Sequence, residues 1–448
     1  MKQKPPIDDH LLRYKFPPVK EKKLSNGLTL LVIERRELPS VYVRMGIEVG
    51  EKHDPPEMKG AVEMVSQLLK KGAGARSYRE IADAIDFVGG SLECSASADF
   101  FYLHGSFLKE HLQVGLELAG DMVIHPAFSP EELEKERAKI LADLENEKSS
   151  PAFLAQRQMD VALYRPHPYS GHKTAESISK ITRETLADLH RRYFSPAAAC
   201  LAVAGDISFT EAAEQAERYF SAWQNRKSSP GEFPAPSNPA NRVIYVVDRP
   251  GSEQVNITLG NRLFPTSHPD YEKAVVANKI LGGGASGRLF LSLREQKGYT
   301  YGAGSSLDLF RETGGWVSSA EVRPEVTDKA LEGFFEEFEK LASEPAPETE
   351  LRNAKRYLIG VFPLRNEIPA SIASLALRQK LYGLPEDYWD QYLVKIDAVS
   401  AEDVQTLARN YLRREQLAIV LVGDARQIAP KLKPFREVEI LDLEGKRM

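Results

Sequence analysis

The chain has 448 residues, 42% of them apolar and 27% charged, and a formal net charge of −5. That is ordinary for a globular protein, long enough for two or three domains with full cores, and neither the charge nor any basic run with interleaved aromatics suits a nucleic-acid surface. No run of about eighteen apolar residues occurs, so no membrane span is expected.

Cys94 and Cys200 fall in apolar, strand-like stretches and decide nothing about redox compartment. The first ten residues lack the apolar core of a signal peptide, which points to a cytoplasmic protein as written and a periplasmic one if a signal has been removed.

Residues 1–20, polar and Pro-containing, read as an arm. After a turn signal at 24–27, residues 28–33 and 41–47 read as strands. A helix is expected from about Lys59 to Lys70, with Ala61, Val62, Met64, Val65, Leu68 and Leu69 on its apolar side. Glu63, Ser66, Gln67 and Lys70 form one polar stripe, at i, i+3, i+4 and i+7. A second helix spans about 78–88 and closes on Gly89-Gly90; residues 91–107 then read as a long strand with a tight turn near Ala98-Asp99. Helices are expected at 110–123, 131–148 and 153–165, followed by a loop at 165–171. Thr182 caps a helix reaching Tyr193, residues 199–204 form a strand ending in Gly205-Asp206, and residues 210–223 form a helix.

Residues 225–240 are rich in Pro and Ser and read as a linker at a domain boundary. The expected organisation is an arm (1–20), an N-terminal half (21–224), the linker and a C-terminal half (241–448). The second half echoes the first. Tyr193 and Gly205-Asp206 recur as Tyr411 and Gly423-Asp424, and Ile178, Ile181 and Thr182 meet Ile396, Val399 and Ser400 at the same offset. Several matches at one offset indicate a duplicated α+β unit, with strands at 242–247 and 254–260 opening the second copy.

The chain is organised around Leu281–Tyr301. An apolar helical run ends there on Gly282-Gly283-Gly284, which are expected to supply left-handed closing conformations. No Gly-Lys-Ser/Thr follows and no buried strand leads in, which argues against a phosphate loop. A second helix carries Leu289, Phe290 and Leu293 and stops at Gly298; Tyr299 and Tyr301 then alternate with Thr300 as on a strand. This puts Arg294 near the helix end and Tyr301 just past the turn, both expected to point into one cleft. A guanidinium fork beside a phenol suits gripping a carbonyl or a developing oxyanion.

Gly-Gly-Gly-x-Ser-x-Arg-Leu-Phe followed by Leu-Arg-Glu-x-x-Gly-x-x-Tyr resembles the C-terminal half of the pitrilysin/insulinase family, the zinc peptidases with an inverted His-x-x-Glu-His motif. The resemblance covers about residues 20–430. It implies an α+β fold of two homologous halves closing as a clamshell, each an antiparallel-rich sheet with helices on one face. It also implies that Arg294 and Tyr301 hold substrate at a zinc site. Anchored on Lys71-Gly72, the three motif positions become Glu63, Ser66 and Gln67, and the distal carboxylate ligand falls at Asp143, with Glu147 one turn on. Independently of that alignment, no two of the nine histidines lie four residues apart, so no helix presents an imidazole pair. Glu63 with Asp143 would be an all-oxygen remnant, a poor match for zinc, and no water-activating glutamate remains. The resemblance further implies that the strand with Glu93, Cys94 and Ser95 borders the cleft, where an extended peptide adds as a further strand.

The function read from these residues is the non-metal, substrate-binding subunit of a heteromeric zinc metallopeptidase, inactive alone. A homologous partner with His-x-x-Glu-His would hold the zinc, no cofactor is expected in this chain, and the substrate is a peptide. The alternative is an inert scaffold subunit of a larger complex. No nucleophile elbow or cofactor fingerprint supports unrelated chemistry.

Overall fold

Runs of β-branched and apolar residues build two six-stranded sheets in a computed structural model that describes residues 14–226, 231–237, 242–435 and 438–448. The first sheet contains β1 (Lys20–Lys23), β2 (Thr29–Glu34), β3 (Ser40–Ile47), β4 (Ser91–Ala96), β5 (Phe101–Leu108) and β6 (Ala199–Gly205), in the spatial order β1-β2-β6-β3-β5-β4. The second contains β7 (Val243–Asp248), β8 (Val255–Leu263), β9 (Thr300–Leu309), β10 (Gly314–Val322), β11 (Ala418–Gly423) and β12 (Val438–Leu441), in the order β12-β7-β11-β8-β10-β9.

Five of the six strands repeat pairing for pairing. β2 runs parallel to β6 as β7 does to β11, and the remaining inner pairs are antiparallel in both sheets. Only the outermost strands differ: β1 is antiparallel to β2, whereas β12 is parallel to β7. Gly205 and Gly423 therefore end equivalent strands. Thr182 and Ser400 are equivalent N-caps, their hydroxyls accepting from Thr185 N–H and Asp403 N–H in reciprocal capping boxes.

The long strand expected at 91–107 is a hairpin whose turn lies at 97–100. The loop at 165–171 contains a short 3-10 turn, Pro168–Ser170, and a six-residue helix, Ala175–Lys180, follows that is too short to show a period. The arm and the linker lie partly outside the described residues. Of the linker, 231–237 is described: Ser237 donates through N–H and Oγ to Arg165 O, both at 3.0 Å, and the Phe233 ring lies 5.4 Å from His53 and 5.7 Å from His167.

Each half packs its own helices on one face of its sheet, as expected. The opposite face is covered by a helix from the other half. Pro369–Leu381 lies across β2, β3 and β6, and Pro151–Tyr164 lies across β8 and β11. The period of two along a strand makes this double burial: Leu30 and Val32 enter one core, while Leu31 and Ile33 join a second core with Ile372 and Leu377. Close approach of the crossing helices requires glycine at equivalent places. A Cβ on Gly46 of β3 would lie 2.5 Å from Leu381 Cδ1, and one on Gly260 of β8 would lie 2.7 Å from Met159 Sδ. The halves also meet where the turn at 97–100 touches the turn at 310–313. There buried Lys52 spans Asp99 (2.9 Å) and Glu312 (2.7 Å), and Arg311 N–H donates to Asp99 (2.8 Å). Among the described residues no helix is long and apolar enough to cross a membrane.

Candidate functional site

The helix expected at 59–70 is Ala61–Leu68, continued by a 3-10 turn, Leu69–Lys71. Its N-terminus is held by Asp54, whose carboxylate accepts from Gly60 N–H (2.8 Å) and Val62 N–H (2.7 Å). Burial pushes the Asp54 pKa up to about 6, and these bonds work against that rise. The polar stripe is only partly solvated. Ser66 is fully buried and donates to Glu63 O (2.7 Å), while Glu63 and Gln67 are half-buried.

Both Glu63 oxygens lie 3.0 Å from Lys173 Nζ. Asp143, on the helix Pro130–Glu147, is 52% exposed, with its carboxylate 4.0 Å from Lys139. The carboxylate that feels Glu63 and Lys173 is Glu147, one turn further on. Burial raises its pKa, Lys173 opposes the rise, and Glu63 and Asp143 add to it. Among the described residues Glu147 Oε2 is buried without a hydrogen-bond partner.

These residues do not fit a zinc ion. The Glu63 carboxylate is already claimed on both oxygens by an ammonium, Ser66 turns inward to its own helix, and no imidazole or thiolate joins them. Among the described residues no group of three or more His, Cys, Asp or Glu is arranged to hold a metal ion.

β4 is the edge of the first sheet opposite β1, and the helix Ala61–Leu68 packs beside it. Strand alternation turns Cys94 inward, where burial pushes its thiol pKa up to about 12, and leaves Glu93 and Ser95 exposed. Glu93 is ion-paired with Lys70. The backbone of this edge, more than its side chains, is what a bound peptide could use.

β9 is the equivalent edge of the second sheet. The helical turns before it widen into a π-helix, Phe290–Gln296, and Gly298 (φ +63°) reverses the chain while Tyr299 N–H donates to Leu293 O (2.9 Å). The Arg294 guanidinium carbon lies 4.6 Å from the Phe290 ring centroid and Nε 3.4 Å from Glu295; the side chain is 45% exposed. The register of β9 against β10 shifts between Thr300 and Ala303, so Tyr301 and Gly302 form a bulge. Thr300 Oγ1 clamps it, donating to Gly302 O (2.8 Å) and accepting from Gly302 N–H (3.1 Å). Tyr301, on this bulge, is 88% exposed. Arg294 and Tyr301 are thus both solvent-accessible beside the β9 edge of the second sheet.

The glycine triplet is also corrected. Only Gly284 has a positive φ (+124°). Gly282 and Gly283 are required by close approach: a Cβ there would lie 2.4 Å from Ser305 N and 2.7 Å from Lys279 Cα. The loop docks on the edge strand, with Ser305 N–H donating to Gly282 O (3.1 Å), and Arg288 Nε and Nη2 grip Glu350 at 2.9 and 2.7 Å. Sequence reasoning missed Asp54, Lys173 and Thr300. Lys173 is far from Glu63 in the chain, and no local pattern links them.

Two family models match in tandem: Insulinase (Peptidase family M16) over residues 30–175, and Peptidase M16 inactive domain over residues 180–358. The uncharacterized zinc protease YmxG of Bacillus subtilis is 24% identical over 407 residues, 90% of this chain and 98% of that protein. An uncharacterized zinc protease of Mycobacterium tuberculosis is 28% identical over 421 residues, 92% of this chain and 95% of its own. Among solved structures, a peptidase M16 inactive domain from Pseudomonas fluorescens superposes with a TM-score of 0.85 at 24% identity, covering 91% of this chain and 98% of that one. A protease from Helicobacter pylori gives 0.84 at 20% identity, covering 91% and 99%. With both models in place over most of the sequence, and the same two-sheet fold in these structures, the chain belongs to the M16 (insulinase) peptidase family.

Proposed function

We propose that this chain is the non-metal, substrate-binding subunit of a heteromeric zinc metallopeptidase, completing the active site of a homologous partner that carries His-x-x-Glu-His. The observation that carries the reading is a contrast within one molecule. Tyr301 is exposed on a clamped bulge and Arg294 half-exposed on the helix before it, while the positions matching the metal motif are occupied by an internal ion pair and a buried serine.

In this reading the partner supplies the zinc, the activated water and the general base. The Tyr301 hydroxyl and the Arg294 guanidinium donate hydrogen bonds to the scissile carbonyl as negative charge develops on its oxygen. The peptide main chain pairs with the free edge of β4, a sequence-tolerant way of holding an extended substrate. The names of the relatives as zinc proteases fit a metal-dependent peptidase; a chain without the histidine pair fits the other subunit of one.

The test is reconstitution. The purified chain, alone and mixed with a homologous chain bearing intact His-x-x-Glu-His, is assayed on unstructured peptides with and without chelator. Hydrolysis is expected only in the mixture, and chelator should abolish it. Chelator-sensitive turnover by this chain alone overturns the proposal, and an assembled complex that ignores the loss of Arg294 and Tyr301 favours a scaffold subunit instead.

A further inference from the structure

Lys173 lies in the loop ahead of the helix Ala175–Lys180, and this loop is fixed against the entry to the helix Ala61–Leu68. Thr174 Oγ1 accepts from Ser177 N–H (3.1 Å), and Ser177 Oγ donates to Lys59 O (2.9 Å). The ammonium is thereby brought within 3.0 Å of both Glu63 oxygens. The pair is largely withdrawn from water, with Lys173 22% and Glu63 29% exposed.

The charges facing it come from several elements. Glu63 projects from its own helix, Glu51 from the segment before it, and Glu147 from the helix Pro130–Glu147. Asp143 and Arg157 act on Glu147, and Lys59 is the second cation acting on Glu51. Burial disfavours the charge on Lys173, but the attraction of Glu63, Glu147 and Glu51 outweighs it, and its pKa is raised. Several carboxylates converging in a partly dehydrated space repel one another unless a cation is fixed among them.

We propose that Lys173 is a built-in cation: its ammonium takes at this helix the electrostatic place of a metal ion, holding Glu63 and its acidic neighbours together and keeping divalent cations out. A tethered ammonium is always present and cannot be chelated. By bridging both Glu63 oxygens it occupies the edge by which that carboxylate would chelate a metal. The orphan oxygen of Glu147 marks the side on which the compensation is purely through space. This inference concerns the folded chain itself and stands whether or not a catalytic partner exists.

The experiment is a double-mutant cycle on the full chain, read by thermal unfolding at neutral pH with and without millimolar calcium or zinc. Lys173→Met should lower Tm by on the order of 3 °C. Glu63→Gln in that background should recover at least half of the loss, and Lys173→Arg should stay near wild type. Added divalent cation should raise the Tm of Lys173→Met and leave wild type unmoved. If Lys173→Met does not fold, the Lys173→Met/Glu63→Gln double variant still should; failure of both means the lysine does not act by pairing this charge and overturns the proposal. So do additive effects of the two substitutions, or equal cation-induced shifts in wild type and Lys173→Met.

Discussion

The edge strands β4 and β9 are built alike and finished differently. In the N-terminal half the helix Tyr78–Phe87 ends, Gly89 (φ +60°) reverses the chain, and β4 begins. In the C-terminal half the π-helix ends, Gly298 (φ +63°) does the same, and β9 begins. Around β4 the polar side chains have partners inside the chain: Glu93 with Lys70, Glu63 with Lys173, and Ser66 with its own helix. On β9 the phenol of Tyr301 faces solvent, with Arg294 half-exposed on the helix before it. A duplicated unit has thus one internally neutralised edge and one that displays hydrogen-bond donors. The difference rests on a single inserted residue, the bulge at Tyr301–Gly302, and on a lysine from a remote loop.

The largest effect should come from breaking the open edge. Tyr301→Phe removes only the hydroxyl; in an assembled complex it should lower peptide turnover on the order of a hundredfold, about 3 kcal/mol of transition-state stabilisation, with assembly unchanged. Arg294→Lys keeps the charge but loses the fork and should also be impaired. Turnover and complex formation measured on the same samples decide whether these residues act on substrate.

The closed edge should respond in stability instead. Asp54→Ala leaves the Gly60 and Val62 amides without their acceptor at the buried start of the helix Ala61–Leu68, which should cost about 2 kcal/mol in denaturant unfolding. An Asp54→Ala chain as stable as wild type would show that this helix is not held from its N-terminus.

The halves should also differ in their response to acid. His53, His104, His172 and His190, all in the N-terminal half, have pKa values pushed down to about 4, chiefly by burial. An imidazole that titrates near 6.5 when unfolded and near 4 when folded contributes stability that is complete above 6.5 and lost as pH falls toward 4. His190 ring Nε2 donates to Val123 O at 2.8 Å. His190→Gln should therefore cost about 1 kcal/mol at pH 7, and the gap from wild type should narrow by pH 5. A gap that widens on acidification contradicts a neutral buried ring. The smallest effect is expected at Glu93, 66% exposed: Glu93→Gln should stay within about 0.5 kcal/mol of wild type, because a surface ion pair contributes little.

Local chemistry made much of this protein legible in its sequence. The apolar periods placed most strands and helices of the N-terminal half, Thr182 announced its cap, and the constant offset between Gly205 and Gly423 announced two copies of one unit. The spacing of the histidines spoke against an imidazole pair on any helix, since that pattern is confined to two neighbouring turns. Tertiary structure alone decided what depends on remote contacts. Leu31 and Leu30 look the same in sequence, yet one meets the helix Pro369–Leu381, remote in the chain, because strand alternation exposes both faces of the sheet to burial. The glycine triplet reads as a helix stop, but two of its members are there because the edge strand, at Gly282, and the preceding helix, at Gly283, leave no room for a Cβ. Glu63 and Lys173 become a pair only when a loop from the far side of the half folds onto the helix. An ion pair of this kind has no sequence period, because its geometry is set by where two separately determined elements come to rest.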